Sequence, residues 1–395
     1  MTTTASTAPA ATAVLENVTK LVPTLRANAL NTEHLRRVPE ENIEALQEAG
    51  VFKLSMPHSR GGYEASMSIQ NAVLSEIARG CPSTSWVATI NLAVTWMVGL
   101  FPDAAQDEVF STDNLRTAGV NAPTGKGVRT DDGGILVNGQ WGWNTGSLNA
   151  HWAGLAAMVT EKDGSVGPQF LLIPYSELDS IDDWNATGMG GTGSVSTVAK
   201  DVYVPRHRVL SVIDLGNAHY PGSTLSATNP YFAKPGTPNL VAVSAGTPHG
   251  IAKGAMDVFH ERLPGRTITY TDYPSQIDAP ITHLQVGEAT MKNTSLDAHL
   301  DKINALIDDN VGKEMSMLDR VAVRGHAGHL ADISRDIVQI LFRASGSSAI
   351  QTSVPIQRYH RDIQALALHA LMQPTTATEL YGRVLLGLPP NSVFI

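Results

Sequence analysis

The sequence predicts an α+β chain in three parts: an N-terminal helical domain over 13–115, a central antiparallel β-barrel or sandwich over 116–215, and a C-terminal four-helix bundle over 239–395. Three observations predict it. Apolar residues recur at helical spacing towards both ends of the chain. Short β-rich runs separated by turn residues fill the middle. A stretch rich in Gly, Pro, Ser, Thr and Asn at 216–238 parts the sheet from the last helices as a linker or lid. No internal repeat is visible, and 395 residues suffice for several domains and a large core.

Residues 1–12 read as a disordered tail, since they lack a basic start and an apolar run. Val14, Leu15, Val18, Leu21, Val22 and Leu25 then mark the first helix. Pro39, with Glu40 and Glu41 behind it, starts a second that ends at Gly50. Gly61 and Gly62 mark a loop, and two more helices reach Phe101. In the middle, Asp131 to Gly134 make a turn before the strand Ile135 to Trp141. Further strands are expected at Trp152–Val159, Gln169–Pro174 and Ser196–Pro205. The bundle helices are expected at about 239–262, 280–311, 314–345 and 355–388.

Composition narrows the function classes. A net charge of −9 argues against a nucleic-acid partner. No run of 18 apolar residues predicts a membrane span. Cys81 is the only cysteine, so no intrachain disulfide or multi-thiolate zinc site can form, which fits the cytoplasm.

Several residues carry chemical potential. Arg358 to Asp362 (RYHRD) precede His369, and seven residues are two helical turns, so Asp362 and His369 would share one face of the last helix. Apolar neighbours hold His369 inside, where it is either a core histidine or a group for acid–base or oxygen chemistry near neutral pH. Gly190, Gly191 and Gly193 let backbone approach a flat or anionic ligand, with Thr192 and Ser194 as donors; a tight sheet turn is the other reading. Trp143 offers an aromatic face and Thr145 a hydroxyl. His326 and His329 could share a helix face as metal ligands, but no third ligand is near in sequence and no metal is expected.

In this order and spacing the motifs resemble the acyl-CoA dehydrogenase fold. Glu48 to Ser66 (EAGVFKLSMPHSRGGYEAS), Trp141 to Gly146 (WGWNTG), Gly188 to Ser194 (GMGGTGS), Asp201 to Pro205 (DVYVP), Arg361–Asp362 with His369, and Tyr381 to Arg383 carry the resemblance over nearly the whole chain. They are most similar to the flavin-dependent monooxygenases of this fold, the oxygenase components of two-component systems. Relatives hydroxylate phenols, oxidise indoles or sulfur heterocycles, or oxidise amino sugars.

The resemblance implies reduced FAD or FMN and O2 as cofactors, with a C4a-(hydro)peroxyflavin on the path to a hydroxylated aromatic, phenolic or indolic. It implies a separate NAD(P)H-dependent flavin reductase, consistent with the lack of a Gly-x-Gly-x-x-Gly fingerprint after a strand. It implies a homotetramer. It places His369, Thr145 and Asn144 at the chemistry, with Thr145 where many relatives have serine. Flavin contacts are implied for Asn121, Trp143, Asn144, Thr145, Thr192, Gly193, Ser194, Gly346 and Ser347, and a flavin phosphate for Arg266 or its neighbour Arg262. Trp86, Trp96, Trp143, Tyr231 and Phe232 are candidates for an aromatic pocket, with substrate choice made in 216–238. Arg361 and Asp362 read as a structural ion pair.

Three alternatives stand beside this. An acyl-CoA dehydrogenase needs a carboxylate base, and none lies between Asp362 and Glu379. An amino-sugar N-oxygenase would carry more charge at the pocket mouth. A helical adaptor that lost its flavin would have no use for the Gly-Thr-Gly-Ser loop or His369.

Overall fold

The N-terminal part consists of α1 (Ala8–His34), α2 (Glu40–Glu48), α3 (Met67–Gly80), α4 (Pro82–Val98) and α5 (Asp103–Phe110). These coordinates are a computed structural model, which describes residues 8–392 and 394–395. The helix α1 begins inside the stretch expected to be a tail, because Ala8, Ala10, Ala11 and Ala13 favour helix; residues 1–7 lie outside the described residues. Ser66 caps α3 by accepting from the Ile69 N–H, and Pro82 opens α4 directly after Cys81. Nearly all of α4 is buried, as expected of a helix that is apolar all round. It packs against the sheet on one side and the bundle on the other.

The strands are β1 (Thr117–Arg129), β2 (Ile135–Trp141), β3 (Trp152–Thr160), β4 (Val166–Pro174), β5 (Asp179–Ile181), β6 (Ser196–Val204) and β7 (Val209–Ser211). They form one seven-stranded sheet in the order β5-β6-β2-β1-β3-β4-β7. All its pairings are antiparallel except β1 with β3, which is parallel. The antiparallel expectation is corrected at that pair. β2 and the following loop together make the long crossover that a parallel neighbour needs. The ladder shifts between Val120 and Gly125, where β1 lifts away carrying Asn121.

After the sheet come the short α6 (Val212–Gly216), α7 (Thr224–Thr228) and α8 (Gly236–Val243). The bundle is α9 (Gly246–Arg262), α10 (Pro280–Asp308), α11 (Met317–Ala344), α12 (Ile356–Leu366) and α13 (Pro374–Leu385). One large apolar cluster joins the N-terminal helices to this bundle, and a smaller one lies within the sheet.

The single helix expected at 355–388 is two helices. Pro374 has no N–H to continue the ladder, and Gln373 recaps the chain by accepting from the Thr376 N–H at 2.8 Å. His369 therefore sits in the turn between α12 and α13, not two turns along one helix from Asp362. The Arg361–Asp362 ion pair is also corrected. Adjacent helical residues point in different directions, and Arg361 pairs with Glu33 of α1 at 2.6 Å.

Candidate active site

Two loops form one wall of the site. The first follows β2 and carries Trp143, Asn144, Thr145 and Gly146; the second, Gly188 to Val195, precedes β6. The chain crosses between them through Asn144 N–H to the Val195 carbonyl at 3.3 Å and Gly146 N–H to the Thr192 carbonyl at 3.1 Å. Trp143 (φ 65°) and Met189 (φ 55°) occupy left-handed backbone rarely taken by such side chains, a strain that clusters at functional sites.

The hydroxyls of this wall have a fixed direction. Thr192 Oγ1 donates to the Met189 carbonyl at 2.8 Å, which uses its one proton. It therefore accepts from Ser194 Oγ at 2.7 Å, and Ser194 in turn accepts from Thr145 Oγ1 at 2.8 Å. Each hydroxyl thus has its proton committed inward, and Thr145 keeps only lone pairs for a ligand. Thr192 and Ser194 are buried parts of this relay; their expected role as ligand donors is corrected. The neighbouring Asn144 donates Nδ2 to Thr197 Oγ1 at 2.8 Å, while its buried Oδ1 has no partner among the described residues.

The glycines of the second loop serve packing more than ligand approach. A Cβ on Gly191 would stand 2.5 Å from Thr32 Cγ2, and one on Gly188 2.1 Å from the Arg361 carbonyl oxygen. Gly193 meets no such clash but has φ 58°, where a side chain would be strained. The loop is thus wedged between α1 and α12. Asp362 fastens it from α12: Oδ1 accepts from the Met189 N–H. Burial pushes this carboxyl up to about 6, against the Met189 N–H and the charges of Arg358 and Arg361, which pull it down.

His369 lies in the α12–α13 turn. Its ring meets Trp86 of α4 edge-on, with centroids 5.1 Å apart. The residue is half-buried, but its ring is deep enough that burial, with Arg324 adding repulsion, pushes the imidazole down to about 4. It is neutral at pH 7. Nδ1 accepts from the Leu371 N–H at 3.4 Å, so the ring proton lies on Nε2, which is left as a donor.

Other expected residues fall in different places. Trp143 is 75% exposed and meets Trp184 edge-on at 5.2 Å, an open aromatic platform rather than core. Asn121 lines a narrow cleft of about 20 Å³ together with Leu371. The other walls are Phe170, Val212, Leu215, Thr237, Leu240 and Phe394, none of which the sequence distinguishes from core. Phe232 is fully buried and fills the space beside Gly99, and Tyr231 accepts at its carbonyl from Trp96 Nε1. Neither is among the residues lining the cleft.

At the bundle end, Arg266 donates to the Ser345 carbonyl (2.8 Å) and Gln276 (3.2 Å), which brace the Gly346 break. Arg262 reaches Ser348 Oγ at 3.3 Å, yet its buried Nη1 has no partner among the described residues, and burial with the Arg266 charge lowers its pKa. Arg262 thus keeps a buried donor without an acceptor.

These leftovers fit a flavin. Acceptors without donors at Thr145 and Asn144 complement ring N–H groups, and a cationic donor without an acceptor at Arg262 complements a phosphate.

Comparison with known proteins agrees. Residues 10–113 match the family profile described as acyl-CoA dehydrogenase, N-terminal domain, and 242–374 that of the C-terminal domain. The oxygenase subunit HsaA of a flavin-dependent monooxygenase from Rhodococcus jostii is 33% identical over 96% of this chain and 100% of its own length. The oxygenase component of an FADH2-dependent resorcinol hydroxylase from a Rhizobium species is 31% identical over 93% of each. The crystal structure of XiaF from a Streptomyces species, in complex with FADH2 and glycerol, superposes with a TM-score of 0.91 at 28% identity, covering 98% of each chain. The chain belongs to the flavin-dependent monooxygenases of the acyl-CoA dehydrogenase fold, as an oxygenase component.

Proposed function

We propose that this enzyme uses reduced FAD or FMN and O2 to hydroxylate a small aromatic molecule, phenolic or indolic. The observation that carries this reading is the acceptor-only hydroxyl of Thr145 beside the unpartnered Asn144 Oδ1, an arrangement that suits the N–H groups of a reduced ring; the neutral imidazole of His369 supports it. Reduced flavin, when bound, supplies two electrons, so that one atom of O2 enters the substrate and the other leaves as water. Trp143, Asn144 and Thr145 would hold the ring, Asn121 its far edge, and Arg262 with Arg266, Gly346 and Ser347 the phosphate end. Thr192, Gly193 and Ser194 set the Thr145 hydroxyl. His369 holds a proton at Nε2 for hydrogen bonding to oxygen, and Trp86 fixes the ring from the side.

The mostly apolar lining of the cleft beside Asn121 and Leu371 suits the edge of an aromatic better than a sugar. The only carboxylate near His369 in sequence, Asp362, is committed to the Met189 N–H, which disfavours a dehydrogenase base there.

A separate NAD(P)H-dependent reductase delivers the flavin, and the oxygenase works in the cytoplasm as a homotetramer. Exposed Ile281, Leu284 and Met291 on α10 support assembly through the bundle. Among the described residues, no helix is long and apolar enough to cross a membrane. The test is product formation from a panel of phenols and indoles with NADH, with and without an added flavin reductase. Turnover requiring the reductase, flavin and O2 supports the proposal. Anaerobic reduction of an electron acceptor by an acyl-CoA overturns it.

A further inference from the structure

The lid region holds a buried cation that the chemistry above does not use. Lys234 is 6% exposed, and its Nζ has no hydrogen bond or ion pair among the described residues. The ammonium rests 4.2 Å from the centroid of the Tyr231 ring and 5.9 Å from that of Trp96. Burial lowers its pKa to about 8, against the pull of Asp308. Asp308 acts on it only from a distance: its carboxylate makes no ion pair with Lys234 and accepts from the N–H groups of Met67 and Ser68 at 2.7 and 3.1 Å.

A buried charge without a partner is costly, and an aromatic face offsets only part of that cost. Lys234 also lines an open cavity of about 340 Å³ between α7 and the turn from α10 to α11. The polar groups around it are already committed. Thr228 Oγ1 donates to the Thr224 carbonyl and Asn310 Nδ2 to the Leu306 carbonyl. The exposed Lys313, whose Nζ also donates to the Asp309 carbonyl, keeps a positive charge at the rim beside Glu314. Glu314 at the rim is negative, and Ala227, Pro230 and Ala233 give apolar wall. One buried cation without a partner, apolar wall and room for a small organic molecule define the complement.

The geometry points to a second ligand site at the outer side of the lid, in which Lys234 takes the carboxylate of a small organic monocarboxylic acid. A doubly charged inorganic anion fits less well, since the apolar wall offers it nothing. The site is distinct from the flavin wall. The tryptophan against Tyr231 is Trp96, ten residues along α4 from the Trp86 that meets His369, or about 15 Å of helix.

The test is isothermal titration of the full chain with cyclohexanecarboxylate, beside cyclohexylmethanol and sulfate at matched ionic strength. Saturable binding of the carboxylate is expected, at least tenfold tighter than either comparator. At pH 8.5, binding should take up protons, read as a heat that depends on the buffer, because the anion raises the Lys234 pKa. Lys234→Met should weaken binding at least tenfold, and Lys234→Arg should retain it without proton uptake. Equal binding of the alcohol or sulfate, absence of saturable binding, or undiminished binding in a folded Lys234→Met variant overturns the proposal. Should Lys234→Met fail to fold, lack of buffer-dependent heat in the unmodified chain overturns it on its own.

Discussion

The wall built from Trp143–Gly146 and Gly188–Ser194 differs from the lid-side wall in how its polar groups are arranged. In the first, each proton of the Thr145–Ser194–Thr192 relay has a fixed direction, and the loop is pinned by Asp362 and wedged by Gly188 and Gly191. The second presents mainly Leu215, Leu240 and Leu371, which have no polar group to fix a ligand. A set wall facing an adaptable one is the arrangement expected when the cofactor is constant and the substrate differs between relatives.

The sharpest way to break this contrast is to remove the proposed acid–base group, His369. His369→Ala should lower product formation about 100-fold while flavin oxidation continues as H2O2 release. The product-to-peroxide ratio under a constant supply of reduced flavin measures this, and an unchanged ratio removes His369 from the chemistry.

The next effect concerns the pin. The Asp362 carboxyl has a raised pKa, so its contribution to stability is complete below about 4 and lost as pH rises to about 6. That loss is about 3 kcal/mol, since each pKa unit is worth 1.36 kcal/mol. His369 and His326, both pushed down to about 4, act oppositely: their contributions are complete above 6.5 and lost as pH falls towards 4. Asp362→Asn keeps an acceptor for Met189 and removes only the first trend. Urea midpoints should then fall more steeply between pH 6 and pH 4 than in the unmodified chain; parallel curves would contradict the assigned role.

Thr145→Val should reduce the preference for reduced over oxidised flavin roughly tenfold, the worth of about one hydrogen bond. Fluorescence titration under anaerobic and aerobic conditions reads that ratio, and a constant ratio would show that the relay does not select the redox state. The smallest effect belongs to the adaptable wall. Leu240→Ala should shift kcat/KM in favour of bulkier phenols by about 3- to 10-fold, the scale of one or two methylenes. It should also cost about 2 kcal/mol of stability through the cavity left behind. An unchanged substrate ranking would place the pocket elsewhere.

The same contrast governs what could be read from the sequence. Trp143, Thr145, Gly193 and the Gly-Thr-Gly-Ser loop stood out because special backbone and clustered small polar residues are rare enough to be noticed. The direction of their protons was not legible, because it depends on the Met189 carbonyl being the last acceptor. Phe170, Leu240 and Phe394 gave no signal, since apolar residues line cores and pockets alike. Tyr231 and Phe232 looked like pocket aromatics for that reason and lie elsewhere. His369 is notable for its apolar surroundings, but its seven-residue spacing from Asp362 misleads, because α12 ends at Leu366 before His369 is reached.

Trp143 also makes the protein its own optical instrument. Trp86, Trp96, Trp141 and Trp152 are all buried, whereas Trp143 is exposed and couples to Trp184. The red, solvent-sensitive edge of the emission therefore comes from one indole pair beside the Trp143–Gly146 loop. Arrival of a ring system there quenches that edge and leaves the blue core emission behind, so occupancy is visible without a label.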